Sequence, residues 1–213
     1  MNHSSLSITF TSGKTEQVPF DTPISNLLQH FEPTNDEILA VRINNEICSI
    51  DSNVEINCKL EPIFKNTKDG ANVYRRSLCL LLATAAHNLF PASHLLVGHS
   101  LGYGYYYTLD TGTPITQEQI TSLENEMQRL VQQDLPVTTK TISYEDAINL
   151  FEELNLTETR KQLNYIAPQK IKINCIDNFS DMYFGPLVRS TGTLKIFSLM
   201  QYGEGFLLRF PRS

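Results

Sequence analysis

Ala40-Val41-Arg42-Ile43-Asn44-Asn45-Glu46 decides the fold of the first part of this chain. Ala40, Arg42 and Asn44 alternate with Val41, Ile43 and Asn45, which is the period of a strand. Asn44-Asn45 then supplies two residues that tolerate the positive φ of a two-residue hairpin turn. Working outward toward the N-terminus, Leu6, Ile8 and Phe10 alternate with Ser7, Thr9 and Thr11, Ser12-Gly13 makes a turn, and Gln17 to Phe20 begins a second strand. Asp21-Thr22-Pro23 is expected to cap a short helix that buries Ile24, Leu27 and Leu28. Toward the C-terminus, Val54 to Cys58 and Leu60 to Phe64 complete the strand set. A hairpin, a helix and more strands make a first unit over residues 1–66.

Lys65 to Gly70 is polar, ends in glycine and reads as a linker. The second unit, 67–213, opens with an apolar helix over Val73 to Leu89, with Leu78, Leu81, Leu82 and Ala85 at helical spacing and Pro91 beyond its end. His94–Gly98 and Gly104–Leu109 read as strands around a His99-Ser100-Leu101-Gly102 turn. Thr113-Pro114 is expected to open a second helix, with Leu123, Met127, Leu130 and Val131 on one face. Ser143-Tyr144-Glu145-Asp146 resembles a capping box and starts a third helix that turns Ala147, Ile148, Phe151 and Leu154 inward. Ile171–Cys175, Met182–Val188, Leu194–Met200 and Phe206–Phe210 read as strands.

The balance of 17 Lys+Arg against 23 Asp+Glu gives a net charge of -6. That is a poor prior for a protein that relies on many phosphate contacts, although a local basic patch is compatible with it. Cys48, Cys58, Cys79 and Cys175 form no CxxC pair and read as reduced core thiols. No apolar run approaches the ~20 residues of a membrane span. Met1 to Ser7 lacks the features of a signal peptide, so a cytoplasmic location without membrane partners is expected.

No GxxxxGK[ST] run occurs, so the backbone cradle of a P-loop is missing. His3, His30, His87, His94 and His99 show no HxxxH or HExxH spacing. His99 lies in a glycine-bearing turn beside Tyr103 and Tyr105–Tyr107. It is a ligand candidate, and the tyrosines are either an ordinary strand or a stacking platform for a base. Arg75-Arg76 precedes an apolar helix face, as solvated charge or as an anion site at that helix's first turns. Asp181 stands in a polar-aromatic turn, Asp181-Met182-Tyr183-Phe184-Gly185-Pro186, with no visible acid–base partner.

Phe10-Thr11-Ser12-Gly13-Lys14 and Ala40 to Glu46 resemble the first turn and the hairpin of a TGS domain. This is the ubiquitin-like β-grasp module of threonyl-tRNA synthetases and some GTPases. Leu89-Phe90-Pro91, Gly104 to Tyr107, Glu124 with Met127, Glu145 with Ala147, Asp181 with Gly185-Pro186, and Ser190-Thr191-Gly192 resemble the second additional domain of threonyl/alanyl-tRNA synthetases. The resemblance implies an α+β fold: a β-grasp domain followed by an α/β two-layer domain. In that family the second domain holds zinc or builds an editing site with HxxxH and CxxxH pairs. Those positions fall here on Arg76, Leu80, Tyr183 and Leu187, so no metal is expected.

The resemblance also implies a cleft lined by Arg76, Tyr107, Lys161, Asp181 and Tyr183, with His99 as a further ligand candidate. Arg76 would supply the positive charge of the lost metal, holding Asp181 or a small anionic or nucleoside ligand. Three further stretches, Tyr74 to Cys79, His99 to Tyr107 and Gly205 to Pro211, are similar to bacterial proteins in which the same front end precedes a uridine-kinase-like P-loop domain. That resemblance implies a non-catalytic regulatory module of a nucleoside kinase. Its partner would be a kinase domain in cis beyond Ser213, and ATP and Mg²⁺ would be needed only there. The alternative is a stand-alone tRNA-binding or tRNA-editing relative of threonyl-tRNA synthetase.

Overall fold

The computed structural model describes residues 5–31, 37–110, 112–166 and 169–211. The chain divides into two compact units: residues up to Arg75 with Phe184–Arg189, and Arg76–Tyr183 with the segment from Ser190 onward.

The first unit contains β1 (Ser5–Phe10), β2 (Thr15–Pro19), β3 (Thr22–Pro23), β4 (Ile38–Ile43), β5 (Glu46–Cys48), β6 (Asn53–Val54) and β7 (Cys58–Phe64). Five strands form one sheet in the order β2-β1-β7-β4-β5, with β1 and β7 parallel at its centre. The hairpin at Asn44-Asn45 forms as its composition demands: Ile43 pairs with Glu46, and Asn44 takes φ 54°. The expected capped helix differs. Thr22–Pro23 is instead a short strand against β6, and a 3-10 helix follows over Ile24–His30. Thr22 Oγ1 donates to the Pro19 carbonyl, which holds the preceding turn rather than a helix end. Ile8, Phe10, Ile24, Val41, Val54 and Leu60 form the core between sheet and helix. This is a β-grasp fold.

The second half of the expected linker, Lys68–Gly70, is helical, and Lys65–Thr67 is a turn. Helix α1 runs over Lys68–Leu89, and Thr67 Oγ1 accepts from the Gly70 amide at its first turn. Gly70 is needed there because a Cβ would strike the Phe64 backbone.

The remaining elements are β8 (His94–Leu101), β9 (Gly104–Asp110), α2 (Gln117–Gln132), β10 (Val137–Ser143), α3 (Tyr144–Glu153), α4 (Thr157–Ile166), β11 (Lys170–Ile176), β12 (Phe179–Asp181), β13 (Ser198–Tyr202) and β14 (Gly205–Arg209). They build a four-stranded sheet, β13-β14-β9-β8, and a three-stranded sheet, β10-β11-β12. Ala147, Phe151 and Leu163 pack against Ile171, Ile173 and Cys175 under the smaller sheet. The overall class is α+β, with helices layered on mainly antiparallel sheets.

Several boundaries depart from the sequence reading. β8 continues through His99 and Ser100, with an irregularity between Val97 and Ser100, so the turn lies at Gly102-Tyr103. Helix α2 starts three residues late because Thr116 and Gln119 form its capping box. Ser143 caps α3 as expected, accepting from the Asp146 amide at 3.0 Å. β10 and α4 are additional elements whose polar, Thr- and Lys-bearing sequences hide the period. Met182–Val188 is irregular rather than a strand.

Candidate functional site

Helix α1 sets Arg76 and Cys79 one turn apart, hence on the same flank. Strand β9 turns Tyr105 and Tyr107 to one face, opposite Tyr106. Tyr107 stacks on Phe206 at 5.9 Å between ring centres, and Tyr105 leans on Phe210 at 5.2 Å. The end of β12 and the residues just after it contribute Asp181 and Tyr183.

These groups interact electrostatically. The Tyr107 hydroxyl hydrogen-bonds Cys79. Burial raises the Cys79 thiol, and the Tyr107 bond and the Arg76 charge offset this only in part. Burial also lowers Arg76 from its ordinary value, against the pull of Cys79 and Tyr105. Tyr107 and Tyr183 are raised well above the usual phenol range, first by burial and then by the groups around them, Asp181 among these. Asp181 accepts at Oδ1 from Thr159 Oγ1 at 2.8 Å and from the Met182 amide at 2.7 Å. Burial outweighs both bonds, and the carboxyl is raised to about 6.

The cluster therefore unites Arg76, Tyr107, Asp181 and Tyr183 from the sequence-predicted set. It also recruits Cys79, Tyr105 and Thr159, which sequence reasoning missed. Cys79 was readable as the i+3 neighbour of Arg76, and Tyr105 as the same-face neighbour of Tyr107. Thr159 lies on α4, a helix the sequence concealed. Sequence reasoning set Arg76 against Asp181. In the fold, Arg76 acts on Cys79 and Tyr105, while Asp181 draws its hydrogen bonds from Thr159 and Met182. His99 lies elsewhere, exposed on β8 with its ring 5.6 Å from Tyr106. Lys161 is exposed on α4 and pairs with Glu158 at 2.7 Å.

Chemically this is a set of neutral donors with one guanidinium and one carboxyl that loses its proton at about pH 6. Tyr107, Tyr183 and the Cys79 thiol, all raised, keep their protons at neutral pH, so none of these three is an activated nucleophile there. The donor set does not fit zinc. Arg76 is cationic, Tyr183 is a neutral phenol, and Leu80 and Leu187 are buried side chains without lone pairs. Among the described residues, no three His, Cys, Asp or Glu side chains gather as a metal site would require.

No protein-family model matches the chain. Threonine–tRNA ligase of Desulforamulus reducens is 32% identical over 173 residues, covering 80% of this chain and 27% of that protein. The corresponding ligases of Maridesulfovibrio salexigens and Lawsonia intracellularis are 30% and 31% identical, over 79% and 82% of this chain. The chain spans about a quarter of the length of these curated relatives. These relatives overturn the expected nucleoside-kinase front end, and its cis kinase partner is left without support. The expectation of ATP and Mg²⁺ rested on that parent alone. With its β-grasp unit and its two-layer unit, the chain is similar over about four-fifths of its length to a segment of threonine–tRNA ligases.

Proposed function

We propose that this chain is a tRNA-binding relative of the threonine–tRNA ligases, and that its Arg76–Tyr107–Asp181–Tyr183 cluster holds a ligand group without hydrolysing it. The observation that carries the reading is 32% identity over 80% of the chain with a protein named for that substrate. Hydrolysis of an aminoacyl ester needs an activated water or nucleophile. The thiol and the two phenols stay protonated, and the one candidate base, the Asp181 carboxylate, has its Oδ1 taken up by Thr159 and the Met182 amide. Arg76 and the phenols suit a polar, electron-rich group such as an ester or a terminal phosphate. A tRNA partner implies work in the cytoplasm, and binding of this kind requires neither nucleotide nor metal.

Filter binding with a tRNA transcript, alongside deacylation of a mischarged tRNA with and without zinc, tests this. The expected result is saturable tRNA binding with deacylation at the uncatalysed rate in both conditions. Turnover of the mischarged tRNA would overturn the non-hydrolytic part, and absence of tRNA binding would overturn the whole.

A further inference from the structure

The four-stranded sheet turns Tyr107, Leu109, Phe206 and Leu208 inward. Its opposite face carries a different chemistry. Register sets Met200, Leu207 and Tyr106 in one row across β13, β14 and β9. Arg209 lies one step along β14, and Tyr202 lies beside Gly205 one step the other way. Leu96, Met200 and Tyr202 are 39%, 42% and 47% exposed.

Tyr106 lies flat on this face. A Cβ on Gly98 would come 2.8 Å from its Cδ1, and one on Gly205 would come 2.9 Å from its Cζ. Glycine on both flanking strands thus lets the ring spread across the sheet. Tyr202 meets it edge-on at 6.1 Å and 78°, and the His99 ring lies 5.6 Å away at 34°. Arg209 is exposed and has no ion pair among the described residues. The carboxylates of these strands, Glu204 in the β13–β14 turn and Asp110 at the end of β9, sit at the Tyr202 end of the sheet, away from Arg209, so the phosphate path is set at the Arg209 end.

We propose that this outer face binds single-stranded RNA, with bases stacking on Tyr106 and Tyr202 and the phosphate backbone passing Arg209. The inference takes from the tRNA reading only the class of polymer, and its site lies on the face of β9 opposite Tyr107. Flat and edge-on rings, partly exposed beside an unpaired guanidinium, match what unstacked bases and their phosphates offer. Duplex RNA hides those base faces and is recognised through its shape and backbone instead.

Fluorescence anisotropy with a labelled single-stranded RNA of about 12 nucleotides, its duplex and a tRNA transcript tests the proposal. The single strand should bind more tightly than the duplex. Tyr202→Ala and Arg209→Ala should each weaken it by at least ~5-fold, and Tyr202→Phe should retain it. Both altered side chains are exposed, and thermal melts will verify the fold. Unchanged affinity of Tyr202→Ala, or equal binding of the duplex, would overturn the proposal. So would Tyr202-dependent self-association without RNA binding, which would assign the face to a protein contact. If tRNA binds but the single strand is indifferent to Tyr202, this inference falls and the tRNA reading stands. If the single strand binds through Tyr202 and tRNA does not, the reverse holds.

Discussion

Asp181 shows how burial can outweigh hydrogen bonding at one residue. Two donors reach its Oδ1, yet its carboxyl is raised from 3.8 to about 6. Asn174 lies directly opposite on β11, and its buried Oδ1 has no hydrogen-bond partner among the described residues. A protonated Asp181 brings a donor to that strand position. Because the folded state holds the proton more tightly than the unfolded chain, the associated stability is full below pH ~3.8 and is lost as pH rises through about 6. Asp181→Asn keeps an acceptor for Thr159 and Met182 and removes the buried charge. It should therefore be more stable than the parent at pH 7.5 by roughly 1–2 kcal/mol, with the gap closing by pH 4. Thermal melts across that range decide it, and a gap independent of pH would refute the assignment. At this scale Asp181, Arg76, Tyr107 and Tyr183 were legible, because a resemblance placed them in one cleft. Cys79 reads as core, a thiol on an apolar helix, although its i+3 spacing from Arg76 carries the signal that joins it to the cluster.

At the level of elements, the recognisable short motifs turn out to hold the fold. Thr191 is fully buried in a 3-10 turn, where its Oγ1 donates to the Leu130 carbonyl at 2.6 Å and accepts from the Leu135 amide at 2.9 Å. Gly192 follows because a Cβ would crowd the Asp134 carboxylate, which accepts from the Gly192 amide at 3.0 Å. Glu124 on α2 accepts from the Leu199 amide on β13 at 2.9 Å, and Met127 is buried beneath that helix. Ser190-Thr191-Gly192 and Glu124 therefore tie α2 to its surroundings. Thr191→Val preserves shape and removes both side-chain bonds, leaving the buried Leu130 carbonyl and the half-buried Leu135 amide without them. A loss of about 1–3 kcal/mol is expected in urea unfolding. A change below ~0.5 kcal/mol would mean that those groups find other partners. Elements with clear alternation or caps, β1, β4, α2 and α3, were legible. β10 and α4 were hidden because most of their residues are polar and exposed, which erases the pattern that burial writes into sequence.

For the whole molecule, a net charge of -6 must be reconciled with an RNA partner. Polyanion binders that depend on charge neutralise many phosphates, and their affinity collapses with salt. Here the proposed RNA face carries one unpaired guanidinium, Arg209, among aromatic side chains. Stacking should then carry most of the affinity, and few counterions should be released. With one or two phosphates neutralised, log Kobs against log salt should fall with a slope of magnitude about 1 for a single-stranded RNA. Arg209→Ala should flatten that slope by about 0.7, whereas Tyr202→Ala should lower affinity at every salt concentration and leave the slope unchanged. Anisotropy titrations over a series of salt concentrations measure both quantities. A slope near −5 would show that a basic surface elsewhere dominates, and would remove the aromatic face from the account.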